Sequence, residues 1–545
     1  MDGYLIALIA VIAWFAILLV GHRLKFWEKI HCQVYGPFLM IKTRRGRELI
    51  DRLSKRERFW TAFGRISIGV TIGSMVALML MLVWEAFLVL SLPPSAAPAP
   101  ELLIGLPGIN PIIPLWYGIL GIVVGIFVHE FAHGILSRVA KIKLESLGIL
   151  LLIFPMGAFV EPNEDDIRAT SKKKRARMYA VGPATNMFVA LICLMVFAMV
   201  LAPSAQPVSD GAVVIGVTPN SPAEKFGISV WSEILSVDGQ TISNASDLND
   251  LFFIDPGGPA NISILYRDSQ TTIEVPEGVV VTSVTPEYPA SAAGIDVGMI
   301  VSSLNNTPIY TLAQFKSVIE NSTHSAPVNI TVLKYGYDPL QGKNWFVIEP
   351  NITSVLLTSK WTYYALNYPD QNREEYRNVS YMGVGSSVFG IRGADPDYVI
   401  NQYAKPFSGN LASSSLRLIA LPFLGFTPVD GPMADLYEPT GAFASLPSGV
   451  YWLLLNSFYW IFWINLMLGL TNALPAVPLD GGFVFRDLLK GVFERANKKR
   501  QEYEHIGGRK PMTEERMDRF IGYISLSISL VVLFLIVWQI IGPRL

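Results

Sequence analysis

VGIFVHEFAHGILS, Val124–Ser137, sets two histidines and a glutamate inside an otherwise uncharged apolar run. The run around it, residues 115–136, is 22 residues long. About 20 helical residues cross a bilayer core of ~30 Å, so this is a membrane helix with ionisable groups in it. A charge at mid-bilayer costs about 2.5–3.5 kcal/mol even on the lenient insertion scale. A lone histidine there can serve as a hydrogen-bonding group of the bundle. Three ionisable groups on adjacent turns are retained for a function. Residues four apart on a helix share a face, about 40° from one another. His129 and His133 can therefore hold one ion. Glu130 is turned about 100° aside, where it reaches a water on that ion rather than the ion itself. Catalytic zinc takes three protein ligands and leaves a fourth position for water. The motif supplies two, so a third must lie elsewhere.

The rest of the chain agrees with a membrane setting. Hydrophobic residues are 51% of the composition and charged residues only 16%, well below the usual quarter. The net charge of −1 offers no global field for nucleic acid. Two cysteines, Cys32 and Cys193, make neither a disulfide framework nor a cysteine metal site. Six apolar runs are long enough to span: 4–20, 66–92, 115–136, 179–201, 450–474 and 520–541. The first has no basic residues before it and reads as a retained anchor rather than a cleaved leader. Lysine and arginine number twelve in 21–65, none in 93–114, eight in 139–178 and ten in 483–519. The positive-inside rule then predicts cytoplasmic basic segments, both termini outside, and 202–449 outside. All seven N-x-[ST] sequons, at Asn244, Asn261, Asn305, Asn321, Asn329, Asn351 and Asn378, fall in that segment. They read either as glycosylation sites or as a polar surface rich in Asn, Ser and Thr.

That external segment repeats with a period of 67 residues. VTPNSPAEKFGI, 217–228, aligns with VTPEYPASAAGI, 284–295. In each copy a strand precedes a short helix ending at Gly, and a second strand enters a turn at Asp238-Gly239 or Asn305-Asn306. A helical patch and a closing strand follow. This order resembles a tandem of PDZ domains, over 204–277 and 278–350. The resemblance implies capture of substrate C-termini by strand addition, with steric screening as the other reading. The segment 351–449 resembles nothing nameable. Its LRLIALPFLGF, 416–426, is apolar and too short to span, as an element lying in the membrane interface would be.

The remaining histidines, His22, His31, His324 and His505, lie in loops. Asp480 is the better third ligand. It sits in NALPAVPLDGG, 472–482, where Pro475 and Pro478 break a helix and free backbone carbonyls at membrane depth, a feature tolerated only where it lines a cavity or is buried in protein. His133 lies five residues before Arg138, and Asp480 lies six before Arg486. The charge-derived topology makes the two helices parallel, so both motifs reach one membrane level.

These motifs together resemble the site-2 proteases, intramembrane zinc metalloproteases. The residues carrying the resemblance are HEFAH at 129–133, GPATN at 182–186 and NALPAVPLDGG at 472–482, and IFPMGAFVEP at 153–162 is similar to the family's membrane-embedded β-hairpin. The expected fold is a polytopic α-helical membrane protein of about six transmembrane helices, with that hairpin and an extracytoplasmic α+β tandem PDZ region. Expected parts are helices 1–2 with a basic loop (1–92), catalytic helices (115–203), the two PDZ-like domains, an unassigned 351–449, the Asp480 helix (450–490), and a basic loop with a final helix (491–545). The resemblance implies His129, His133 and Asp480 as ligands of one Zn2+ and Glu130 as the base. It implies Asn472 as a residue holding substrate backbone or oxyanion, although an Asn there can also simply cap the broken helix. Implied partners are transmembrane protein substrates in the lipid bilayer, cut near the cytoplasmic side, with no nucleic acid. Sequons without disulfides fit an archaeal surface. The alternatives are a CAAX-type membrane endopeptidase, which leaves Asp480 and the repeats unexplained, and a non-catalytic PDZ-bearing receptor or chaperone, which leaves the complete His/Glu/His/Asp set unexplained.

Overall fold

The structure is a computed structural model. It describes residues 3–544 apart from 30–31, 44–46, 92–96, 104, 153, 325, 338–344, 369–370, 405–409, 425–427 and 505–510. The chain forms two compact units, one of residues 1–200, 409–428 and 453–545, the other of 201–408 and 429–452.

The first unit is built on helices. We label them α1 (Gly3–Arg23), α2 (Glu57–Leu88), α3 (Leu115–Val139), α4 (Lys172–Val196), α5 (Ser448–Ala473), α6 (Asp480–Glu504) and α7 (Glu514–Ile541). Among the described residues, five helical stretches are long and apolar enough to cross a membrane: Glu57–Ser91, Leu115–Val139, Lys172–Ser204, Ser448–Ala473 and Glu514–Arg544. The protein is therefore a polytopic α-helical membrane protein. Of α1, Ile12–Arg23 forms a shorter apolar helix. Several helices start earlier than their apolar runs. Charged turns such as 57–65 and 172–177 are good helix formers that a hydropathy criterion passes over. The same reason explains α6, which continues as a helix to Glu504 through residues expected to be a basic loop.

Close helix approach is written in glycine. A Cβ at Gly121 would lie 2.8 Å from the Ile464 side chain and one at Gly125 2.6 Å from Leu468 Cδ1. Bare glycines on α3 thus let α5 come against it. On α4, Pro183 sits inside the helix and interrupts its hydrogen-bond ladder.

A four-stranded antiparallel sheet completes the unit: β1 (Cys32–Tyr35), β2 (Phe38–Thr43), β3 (Leu144–Leu152) and β4 (Phe154–Pro162), in that spatial order. The hairpin expected within 153–162 is instead one strand there, β4, and the hairpin is made with β3 before it, outside the motif. Its register shifts between Leu150 and Leu151, where Pro155 faces Leu151, because proline has no N–H for the ladder. The basic segment before α2 contributes a second hairpin, turned at Gly36 with φ of 58°, which pairs β2 with β3. Buried Ile50, Ala132, Ile135, Leu144 and Val181 form the core under this sheet.

The second unit holds two sheets of equivalent order. We label β5 (Ala212–Val217), β6 (Glu233–Val237), β7 (Pro259–Tyr266), β8 (Ser269–Pro276), β9 (Val279–Val284), β10 (Ile300–Leu304), β11 (Val328–Tyr337), β12 (Trp345–Val355), β13 (Val384–Val388) and β14 (Ile391–Ala394). The sheets run β8-β7-β6-β5-β14 and β12-β11-β10-β9-β13. A shift of 67 residues carries β5 onto β9, the helix Pro222–Lys225 onto Pro289–Ala292, and β6 onto β10. Residues 384–394, in the segment without an assignment from sequence, supply the outer strand of each sheet. Lys225 Nζ donates to Tyr335 O at 2.6 Å, one of the bonds between the copies. The segment Leu411–Ala420 belongs to the first unit and packs on α5, where Tyr459 and Trp463 donate to the carbonyls of Leu418 and Ile419.

Candidate metal centre

Three elements bring the predicted ligands together. His129 and His133 lie one turn apart on α3, and Asp480 opens α6 after the proline-broken end of α5. Asp480 Oδ2 lies 2.9 Å from His129 Nε2 and 3.1 Å from His133 Nε2, and the two Nε2 atoms are 3.1 Å apart. Among the described residues, this is the group of three His, Cys, Asp or Glu side chains that converges as a metal site would. All three side chains are at most 16% exposed.

A main-chain carbonyl fixes the orientation of the His133 ring. Its Nδ1–H donates to Met178 O at 2.6 Å. A neutral ring with its proton on Nδ1 has its lone pair at Nε2, and Nε2 lies 3.1 Å from a carboxylate oxygen. In that state the three converging atoms are all electron-pair donors, the arrangement a cation needs. Ligand bonds of ~2.0–2.1 Å in tetrahedral geometry set ligand atoms roughly 3.3–3.4 Å apart, close to the three edges here. Two imidazoles and one carboxylate are the donor set of a catalytic zinc with an open fourth position. The residues fit a single Zn2+.

Helix α4 closes one side of the triangle. A Cβ at Gly182 would lie 2.4 Å from His133 Nε2 and 2.7 Å from His129 Nε2. The first residue of GPATN is thus glycine because the ligand atoms occupy the place of its side chain. Pro183 and Met178 belong to the same stretch of α4. The sequence pattern marks the motif without disclosing that its contribution is an absent side chain, and the carbonyl of Met178 lies four residues before it.

Glu130 and Asn472 share with the three ligands a cavity of about 300 Å3, also lined by Ser137, Val160 and Tyr179. Glu130 Oε2 accepts the Val160 N–H of β4 at 3.1 Å. Asn472 Nδ2 donates to Leu468 O one turn back on its own helix at 3.1 Å. Ser137 is fully buried and its Oγ has no partner among the described residues. Sequence reasoning did not single it out, since a serine inside an apolar helix carries no signature of its own. Val160 escaped for another reason: its contribution is a main-chain N–H.

Apolar helices long enough to cross a membrane, enclosing a His/His/Asp set beside a glutamate, define an intramembrane zinc metalloprotease. The profile of Peptidase family M50 matches residues 117–507, and the chain belongs to that family, the site-2 protease group. It is similar to an uncharacterized protein of Methanocaldococcus jannaschii, 29% identical over 312 residues that cover 56% of this chain and 75% of that one. It is also similar to the regulator of sigma E protease of Haemophilus influenzae, 22% identical over 439 residues, covering 68% of this chain and 90% of the relative.

Proposed function

We propose that this metalloprotease hydrolyses peptide bonds in or near transmembrane segments of other membrane proteins, with His129, His133 and Asp480 holding one zinc and Glu130 as general base. The observation that carries this reading is the convergence of His129 Nε2, His133 Nε2 and Asp480 Oδ2 to within 3.1 Å of one another. Zinc at this site supplies a Lewis acid and lowers the pKa of a bound water towards ~7. The Met178 carbonyl fixes the tautomer of His133. Glu130 takes the proton from the attacking water and returns it to the leaving amine. Its Oε2 is engaged by Val160 N–H, which leaves Oε1 for the water. A helical substrate hides its carbonyls in its own hydrogen bonds and must be held extended to be cut. Strand β4 lies at the edge of its sheet, so an added substrate strand can pair with it. The strand that aligns the substrate is then the one that holds the base. Asn472 lines the same cavity, and in this reading it binds substrate backbone or the developing oxyanion once it releases Leu468 O.

In this reading α1 also spans, giving six membrane helices with both termini and the repeat unit outside the cytoplasm and the metal site near the cytoplasmic side. The repeats are tandem PDZ-like domains. Supporting this are the 67-residue period and a cleft of about 740 Å3 lined by β13, β14 and the helix Leu312–Asn321, with Lys316, Arg392 and one carboxylate, Asp250, in its wall. Both strands are outermost in their sheets, so the cleft offers strand edges and two cations to a substrate C-terminus. The relative from Methanocaldococcus jannaschii supports an archaeal type of family member.

Metal analysis tests the ligand set. Purified protein should carry one zinc per chain, and Asp480→Ala should lose it. Zinc retained in full by Asp480→Ala would remove the third ligand from the account.

A further inference from the structure

A second cavity in the first unit, about 810 Å3, shares no residue with the metal site. It lies where the charged ends of α2, α4, α6 and α7 give way to their apolar stretches. Six cations and three acids line it. The acids are taken. Arg175 makes a two-point contact with Asp487, at 2.6 and 3.2 Å, and Lys172 pairs with Glu494. Lys490 sits 2.7 Å from Asp518 and 3.9 Å from Glu514. Arg168 pairs with Glu164, outside the cavity, at 3.1 Å. Lys173 and Arg495 are left with no carboxylate partner among the described residues. Beside them the wall is apolar: Ile68 of α2, and Leu488 and Val492 of α6, which are 39% and 60% exposed.

Unpaired cations next to exposed apolar side chains, at the level where helices enter a membrane, complement an anionic amphiphile. The volume is that of a lipid headgroup with the start of its chains rather than of a lone ion. Basic pockets between membrane helices are where anionic headgroups bind. We propose that this cavity is a binding site for one anionic phospholipid, its phosphate on Lys173 and Arg495 and its first chain carbons against Ile68, Leu488 and Val492.

The test uses the full chain in nanodiscs of phosphatidylcholine doped with phosphatidylglycerol, followed by native mass spectrometry of the released protein. The wild type should retain one phosphatidylglycerol in preference to phosphatidylcholine. Each cation near an anionic lipid is worth about fivefold, so Lys173→Gln/Arg495→Gln should lose roughly 25-fold of that preference. Lys498→Gln/Lys499→Gln, two cations of the same helix outside the cavity, should keep it. Val492→Asn should weaken lipid retention as well, because it removes the apolar contact and leaves the cations. Absence of any preference in the wild type, or equal loss in both double variants, overturns the proposal. So does displacement of the lipid by excess inorganic phosphate, which would make the cavity a free-anion site.

Discussion

Replacing Gly182 by alanine should loosen the metal. The new methyl carbon would stand 2.4 Å from His133 Nε2 and 2.7 Å from both Cε1 and Nε2 of His129. Ordinary contact distances are about 3.5 Å, so α4 or the two rings must give by roughly 1 Å. Catalytic constellations tolerate about 0.5 Å. Overpacking of this kind typically costs 1–3 kcal/mol. If that cost falls on the bound form, zinc affinity drops about five- to 150-fold. Competition with a chromophoric chelator on detergent-purified protein reads it directly. Gly69→Ala is the control, because a Cβ there meets nothing within 4 Å. Both variants should show similar unfolding temperatures once zinc is removed, because the cost falls on the bound form. Wild-type zinc affinity and cleavage in Gly182→Ala would refute the reasoning that α4 is bare at this point for the sake of the ligands.

Arg175 and Asp487 tie α4 to α6 with side chains only 18% and 11% exposed. Asp487→Ala strands the guanidinium and should cost about 3–5 kcal/mol, read as a fall in thermal unfolding temperature; a loss within 0.5 kcal/mol would place the pair in full solvent. In the repeat unit, burial holds the Glu277 carboxyl above the ordinary glutamate range, partly offset by the backbone N–H groups of Asp255 and Ile254. Its contribution to stability is thus complete below the ordinary value of about 4.3 and is lost as pH rises through the raised value. Glu277→Gln should remove that fall from the pH profile of unfolding, and an unchanged profile would contradict it.

The metal site was legible where its chemistry resides in side chains. Two histidines at helical spacing and an aspartate at matched depth identify themselves by type and position, although 347 residues separate His133 from Asp480. Contributions made by main chain were not legible. Met178 O and Val160 N–H can come from any residue, so no residue type announces them. Gly182 was visible as part of a motif while its reason was not, because a close approach belongs to two helices at once. In the fold, apolar runs marked the spanning cores but not the charged turns of α2, α4 and α6. The hairpin of β1 and β2 is ten residues of strand inside a basic segment, and its partner β3 is more than a hundred residues away. Strands β13 and β14 are five and four residues long, too short for alternation to reveal, and their partners lie before them in the chain at long range.

Glu130 acts as the base in the proposed reaction without binding the zinc. Cleavage of a single-span substrate co-reconstituted in vesicles, measured for wild type and Glu130→Gln with zinc content determined on the same preparations, tests this most directly. Both proteins should carry one zinc per chain, and the wild type alone should cleave. Cleavage by zinc-loaded Glu130→Gln at the wild-type rate would contradict it.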